Sequence, residues 1–358
     1  MRITIEYVFL RAMFRRAFFM ILALVLVSCN STEIRRQADS VAANFDGSRF
    51  FNTLPGHRRF WSIPAFLLTG AFQKAPWPDW IETEPSEVPE SPSAGALAVT
   101  FVNHSTMLLR FNGLTVLTDP IYSERASPFD WLGPKRVRAP GVRFEDLPQI
   151  DVVLISHNHY DHLDLETLLR LRDHKGGPLV LAGLGNEEIL DESGIENYRT
   201  LDWGESVKLG EIEFEFVEVR HSSGRGILDQ KKTLWGGFVV KRPQGAIYFA
   251  GDTGYGPHFS EIAERHGGFQ LSMIPIGAYE PRSVMAEVHL NPAEAVCAHK
   301  DLRSEQSIGI HFGTFQLTYE GINEPVETLK AELARQDVAG EDFWVMGFGE
   351  TRVIEPPD

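Results

Sequence analysis

Ser156-His157-Asn158-His159-Tyr160-Asp161-His162 follows directly on the apolar run Val152-Val153-Leu154-Ile155. A short unbroken apolar run ending in a polar turn reads as a strand buried on both faces, with a loop after it where a site can be built. Four potential metal ligands in six positions is far denser than the 12 histidines of the chain would give by chance. Neutral imidazole nitrogens and carboxylate oxygens are the ligands zinc takes when thiolates are absent. The chain has two cysteines, Cys29 and Cys297, too few for a disulfide framework or a thiolate site. His157 and His159 are two apart, so in an extended turn both rings point the same way and can grip one ion. Asp161 and His162 then face a neighbouring ion.

Each ion needs more ligands, and strand ends offer them. His221 follows an expected strand at 211–219; Asp252 follows the apolar run 246–250 within Gly251-Asp252-Thr253-Gly254; His311 closes the run that starts at Ser307. The intervals from His162 are 59, 31 and 59 residues, long enough for several strands to intervene, so these groups can meet only in the fold.

Around the site, short apolar runs bounded by Gly, Asp and Pro predict strands at 97–102, 106–111, 114–118, 151–155, 178–182, 211–219, 234–241, 246–250, 271–276 and 307–311. The strict alternation of Glu211-Ile212-Glu213-Phe214-Glu215-Phe216 predicts one wet face. Two helices carry clear start signals. One begins near Asp164; the other has Asn291 as N-cap, Pro292 at its first position and Glu294 three residues after the cap. Strand groups separated by helices predict an α+β protein of sheets covered by helices. The long aperiodic stretch 121–148, with Pro128, Pro134 and Pro140, reads as a functional loop such as a lid.

The chain has 358 residues, 43% apolar and 23% charged, with a formal charge of −15. That composition excludes a disordered chain, and its acidity argues against nucleic acid as a partner. Arg11, Arg15 and Arg16 precede the apolar run 17–27, which is too short to span a bilayer and is followed by Ser28-Cys29. Leu26-Val27-Ser28-Cys29 resembles the lipobox of bacterial lipoproteins. The expected organisation is a lipoprotein signal peptide at 1–28, an amino-terminal arm and Pro-rich linker at 29–95, and a catalytic domain at 96–358. A lipid anchor at Cys29 would hold the protein at a membrane surface in the bacterial cell envelope.

The order His-x-His-x-Asp-His, then His, Asp and His, resembles the metallo-β-lactamase superfamily. The wording is narrower still. Residues 156–164, Leu234-Trp235-Gly236, Gly251-Asp252-Thr253-Gly254-Tyr255, the stretch from Ile274 to Arg282 and His311-Phe312-Gly313-Thr314-Phe315 resemble the N-acyl-phosphatidylethanolamine-hydrolysing phospholipase D family, from about Val99 to Arg352. Residues 211–232 depart from it, with Ser222-Ser223 standing where the animal enzymes carry a bulkier aromatic. The resemblance implies a metallo-β-lactamase fold, a four-layer αββα sandwich with two zinc ions at one edge. By it His157, His159 and His221 hold one ion, Asp161, His162 and His311 the other, and Asp252 bridges both. It implies hydrolysis of N-acyl-phosphatidylethanolamine to N-acylethanolamine and phosphatidate through a metal-bridging hydroxide. Asp161, Asp252 and His289 are then the expected catalytic residues. Some members of that family are dimers, so a homodimer is compatible with the resemblance.

Other residues carry two readings each. His289 matches a family position near the bound phosphate or leaving group, and is equally a helix-entrance histidine. Tyr255 and Tyr279 line the substrate cleft or pack at strand ends. Arg282 forks onto substrate phosphate or braces a neighbouring carboxylate. His104 supports the site or caps a turn, and Asp119 orients a metal-bound histidine or starts a turn at Asp119-Pro120. The aromatic positions Phe50, Phe51, Phe60, Trp61, Phe66 and Phe72 rest on a bilayer, admit acyl chains or form core. Two other functions remain open: a hydrolase of a phosphorylated small molecule or lactone on the same di-metal site, and a non-catalytic metal-holding envelope lipoprotein.

Overall fold

The computed structural model describes residues 43–53 and 74–356. The signal-like run, Cys29 and the aromatic positions from Phe60 to Phe72 lie outside the described residues. Within them, three antiparallel strands open the first sheet: β1 (Leu97–Asn103), β2 (Thr106–Phe111) and β3 (Leu114–Thr118). Asn112 and Gly113 join the last two, both at positive φ, as a two-residue hairpin turn requires. The chain then adds β4 (Val152–Leu154), β5 (Leu179–Gly183) and β6 (Tyr198–Leu201) in parallel, with helices α1 (Leu165–His174) and α2 (Glu187–Glu192) in the connections.

The second sheet starts with the antiparallel strands β7 (Ser206–Leu209), β8 (Ile212–Val217), β9 (Gly237–Lys241) and β10 (Ile247–Phe249). It continues in parallel through β11 (Phe269–Pro275), β12 (Ser304–Ile310) and β13 (Phe343–Trp344). Helices α3 (His258–His266), α4 (Arg282–Met285), α5 (Pro292–Asp301) and α6 (Glu324–Arg335) fall between its strands. The chain returns to the first sheet with β14 (Thr351–Ile354), paired to β1. Each mixed sheet has seven strands among the described residues, ordered β14-β1-β2-β3-β4-β5-β6 and β13-β12-β11-β10-β9-β8-β7.

The period of two along each strand divides the core into layers. Met107, Leu109 and Phe111 of β2 point between the sheets, against Phe214, Phe216 and Phe238. Leu108 points the other way, with Leu117 and Val153, onto Leu168 and Leu171 of α1 and Leu190 of α2. On the far side, Ala295 and Val296 of α5 and Leu329 and Leu333 of α6 cover the second sheet. This is the expected αββα sandwich.

Both expected helix starts form. Asp164 accepts from Thr167 N, and Asn291 and Glu294 close a reciprocal capping box. The wet face expected of β8 is only half wet: Glu213 is partly exposed, whereas Glu215 is buried beside Lys241 and the end of α3. Residues 74–92 form neither helix nor strand and are tied to the body by Trp77 Nε1 to Glu320 O, Ile81 N to Val137 O and Ser86 N to Gly141 O. Phe50 is buried in the core while Phe51 is exposed. Among the described residues no helix is long and apolar enough to cross a membrane.

Candidate metal centre

The turn after β4 is shaped from below by Asp119, which directly follows β3. Asp119 accepts from Ser156 N at 2.7 Å and Ser156 Oγ at 2.6 Å, and lies 2.7 Å from His162 Nδ1. Ser156 Oγ in turn lies 2.9 Å from His157 Nδ1. One buried carboxylate thus fixes, directly or through one hydroxyl, the outward nitrogens of two rings and leaves each Nε2 facing inward. Across the site, His221 Nδ1 donates to Val288 O at 2.9 Å, which presents its Nε2 in the same way. His311 follows β12 at φ 62°, and its N–H bonds His104 O.

Asp252 reaches this group because Gly251 lets two loops touch. At φ +57°, a Cβ on Gly251 would lie 2.4 Å from Ser156 Cβ. Asp252 Oδ2 consequently sits 3.2 Å from His162 Nε2, 3.1 Å from His311 Nε2, 3.9 Å from His221 Nε2 and 4.0 Å from His157 Nε2.

The seven expected ligands therefore converge. His157, His159 and His221 form one group able to hold an ion; Asp161, His162 and His311 form another, joined by His104; Asp252 groups with His157 and His162, and with His221 and His289. His311 Nδ1 and Asp252 Oδ1 are buried with no hydrogen-bond partner, and His162 Nε2 and His311 Nε2 face only the carboxylate oxygens of Asp161 and Asp252. Orphaned polar atoms of this kind are costly unless something binds them, and they fit a metal centre.

Charge supports the same reading. Burial disfavours the carboxylate of Asp252, yet His311, His162 and His289 hold it well below the usual range. Burial likewise opposes charge on His162, but Asp252, Asp161 and Asp119 carry its pKa well above normal, and His311 is raised to about 9 chiefly by Asp252 against burial. Protons on these two rings balance two carboxylates, and a divalent cation among the same atoms would displace them.

His289 joins the rim, with Nδ1 3.8 Å from Asp252 Oδ2, and burial lowers its pKa to about 4. The other expected substrate contacts have their polar atoms engaged within the protein. Tyr255 Oη donates to Asp301 at 2.5 Å and Tyr279 Oη to Glu324 at 3.2 Å. Arg282 donates to Glu294 Oε2 at 2.7 Å and His289 O at 2.9 Å, so here it is a brace that holds the His289 loop against α5. His104 Nε2 lies 3.0 Å from Asp161 Oδ2, and its ring packs 4.0 Å from that of His311. Ser156 was visible in the sequence only as the residue before the first histidine; its bridging role depends on Asp119, 37 residues earlier, and carries no local signal.

Two mixed sheets covered by helices, with a buried His/Asp cluster at the ends of β4, β10 and β12, define a metal-dependent hydrolase of metallo-β-lactamase fold. The profile of the beta-lactamase superfamily domain matches residues 115–312, just over half the chain, and the protein belongs to that superfamily. An uncharacterized protein of Mycobacterium tuberculosis is 42% identical over 244 residues, 66% of this chain; the chain spans 64% of that relative's length. N-acyl-phosphatidylethanolamine-hydrolyzing phospholipase D 1 of Caenorhabditis elegans is 39% identical over 270 residues, 72% of this chain and 76% of that one. A metallo hydrolase from Ignicoccus hospitalis has a similar solved fold, with TM-score 0.54 and 21% identity, covering 73% of this chain and 99% of the other.

Proposed function

We propose that this protein is a di-zinc phosphodiesterase of phospholipase D type that cuts N-acyl-phosphatidylethanolamine to N-acylethanolamine and phosphatidate. The observation that carries this reading is Asp252 Oδ2, which lies 3.1 to 4.0 Å from ring nitrogens of both histidine groups. A purely structural zinc site is closed by four ligands around one ion, whereas a carboxylate shared by two groups suits a pair of ions acting on one bond. The extent of likeness to the nematode protein supports the lipid substrate.

Two divalent ions held there would activate water and neutralise charge on a phosphodiester. The chain supplies the rest. Asp119 and Ser156 fix the rings of His162 and His157, and the Val288 carbonyl fixes His221. His289 stays neutral near pH 7, so beside the phosphate it can donate one hydrogen bond or accept one. Anchoring at Cys29 in a bacterial envelope would place the enzyme beside such a lipid.

The test is product identification by mass spectrometry after incubating the zinc-loaded chain with N-acyl-phosphatidylethanolamine in mixed micelles, with His159→Ala as control. The expected products are phosphatidate and N-acylethanolamine from the parent alone. Absence of both, with two metals bound per chain, overturns the lipid substrate and leaves the hydrolase.

A further inference from the structure

Eight large apolar side chains are exposed among the described residues, and five of them stand on two turns: Phe129, Trp131 and Leu132 on one, Ile227 and Leu228 on the other. Trp131 is 70% exposed and Ile227 is 91% exposed. Apolar groups held in water in this way are unfavourable, and clusters of them mark contact surfaces.

Neither turn is loose. Arg125 Nε donates to Asp130 O at 2.9 Å and its Nη1 to Gly133 O at 2.6 Å, closing the first turn across its base, and the Phe129 and Trp131 rings pack 5.5 Å apart. In the second, Asp229 accepts from the backbone N–H of both Arg225 and Gly226, each at 2.7 Å. Hydrogen bonds thus hold the five side chains outward.

Both turns also lean on the metal-binding loop. Arg225 lies 3.8 Å over the ring of Tyr160 and donates to Asn158 O, and Gly224 N donates to Asn158 Oδ1. From the other side, Ala126 packs with Ile121 and Phe315 in a cluster that Tyr160 joins. Of the cations in residues 123–138 and 224–232, Arg136 is buried and Arg125 and Arg225 donate within the protein, whereas Lys135 and Lys232 are exposed beside the two turns in a chain of −15.

We propose that these two turns form a surface that docks on an anionic phospholipid bilayer and brings the metal centre to the headgroup layer. Tryptophan and aliphatic tips flanked by exposed lysines are a composition that enters a lipid interface, the apolar groups inserting while Lys135 and Lys232 meet anionic headgroups. A stable protein interface engages about 20–30 residues a side, far more than five tips, whereas a fluid bilayer accommodates separate projections. The docking stands without the phospholipase D reading; its meaning for turnover rests on it.

The test uses the full chain and vesicles of phosphatidylglycerol with phosphatidylcholine, free of N-acyl lipid, so that binding is scored whatever the substrate proves to be. The Trp131→Ser/Leu132→Ser/Ile227→Ser/Leu228→Ser variant is expected to bind at least about tenfold more weakly than the parent in co-sedimentation, because each tip contributes its own apolar transfer energy. Any contribution from the apolar run at 17–27 is common to both proteins. Brominated acyl chains are expected to quench the parent's fluorescence more than that of Trp131→Phe, a change that leaves the surface apolar. Raising salt or omitting phosphatidylglycerol is expected to weaken the parent's binding. Equal vesicle binding by parent and variant, equal quenching, or a dimer of the parent that the variant dissociates would each overturn the proposal, the last by assigning the surface to a second copy.

Discussion

Asp119 Oδ2 lies 2.7 Å from His162 Nδ1, inside a pocket where neither side chain is exposed to solvent. The same carboxylate holds Ser156, whose hydroxyl meets His157. A single residue outside the ligand set therefore orients one ring in each of the two groups. Outer contacts of this kind are typically worth 10–100-fold in metal affinity.

Asp119→Asn is accordingly expected to weaken zinc binding by about 10–100-fold while leaving the far-ultraviolet dichroism of the folded chain intact. Competition with a chromophoric chelator reads this directly. Unchanged affinity would mean that backbone geometry alone places the two rings.

Gly251→Ala is expected to lower stability by about 1–3 kcal/mol, since it combines a left-handed backbone with a Cβ forced onto Ser156. Urea unfolding should show a lower midpoint at an unchanged slope. A midpoint equal to the parent's would mean that the two loops part freely, and zinc affinity should then fall instead, because Asp252 moves with Gly251.

Much of this was legible in the sequence, for reasons that differ by element. Val152–Ile155 and Ala246–Ala250 are unbroken β-forming runs, so both the strands and the ligands at their ends could be read off directly. The box at Asn291 is a local signal and forms as written. Tyr198–Leu201 and Ser206–Leu209 were not legible, because at a sheet edge their side chains alternate between partial burial and exposure and their apolar content is low. β13 is two residues long, and β14 is recognisable as a strand only through its pairing with β1. The helix α3 begins at His258 after Pro257 with no side-chain cap, so its start gave no motif. The fork of Arg282 could not be placed, since both a phosphate and Glu294 suit a guanidinium and only the fold selects between them.

Acid should destabilise the protein through His258, which is not itself one of the metal ligands. Burial, with a smaller contribution from Arg220, lowers this imidazole to about 3, and its Nε2 lies 3.2 Å from Thr253 Oγ1. The unfolded chain takes up a proton near pH 6.5 that the folded chain refuses until about 3. The contribution is thus complete above pH 6.5 and lost as pH falls from 6.5 towards 3, at up to about 1.4 kcal/mol per pH unit. The stability difference between parent and His258→Gln should shrink between pH 7 and pH 5 in urea titrations. A difference that stays constant would show that His258 gains its proton without unfolding.

Removing metal should cost stability as well as activity, because His162 Nε2 and His311 Nε2 are buried and converge on the same oxygen of Asp252, 3.2 Å and 3.1 Å away, while Asp252 Oδ1 and His311 Nδ1 have no hydrogen-bond partner. Saturation at a thousandfold excess over Kd stabilises a fold by about 4 kcal/mol, which for a domain of this size is a shift of roughly 7 °C in Tm. A chelator is therefore expected to lower the parent's Tm by about that amount, with a pH-dependent response because metal displaces protons from the rings. Asp252→Ala should answer the chelator less, since it removes the carboxylate shared by both groups, yet it should still fold, since without that counter-charge burial favours the neutral form of His162 and His311. An Asp252→Ala protein that binds two zinc ions as tightly as the parent would show that the two groups are independent sites. The shared-oxygen geometry would then be incidental, and the case for paired ions acting on one bond would fall with it.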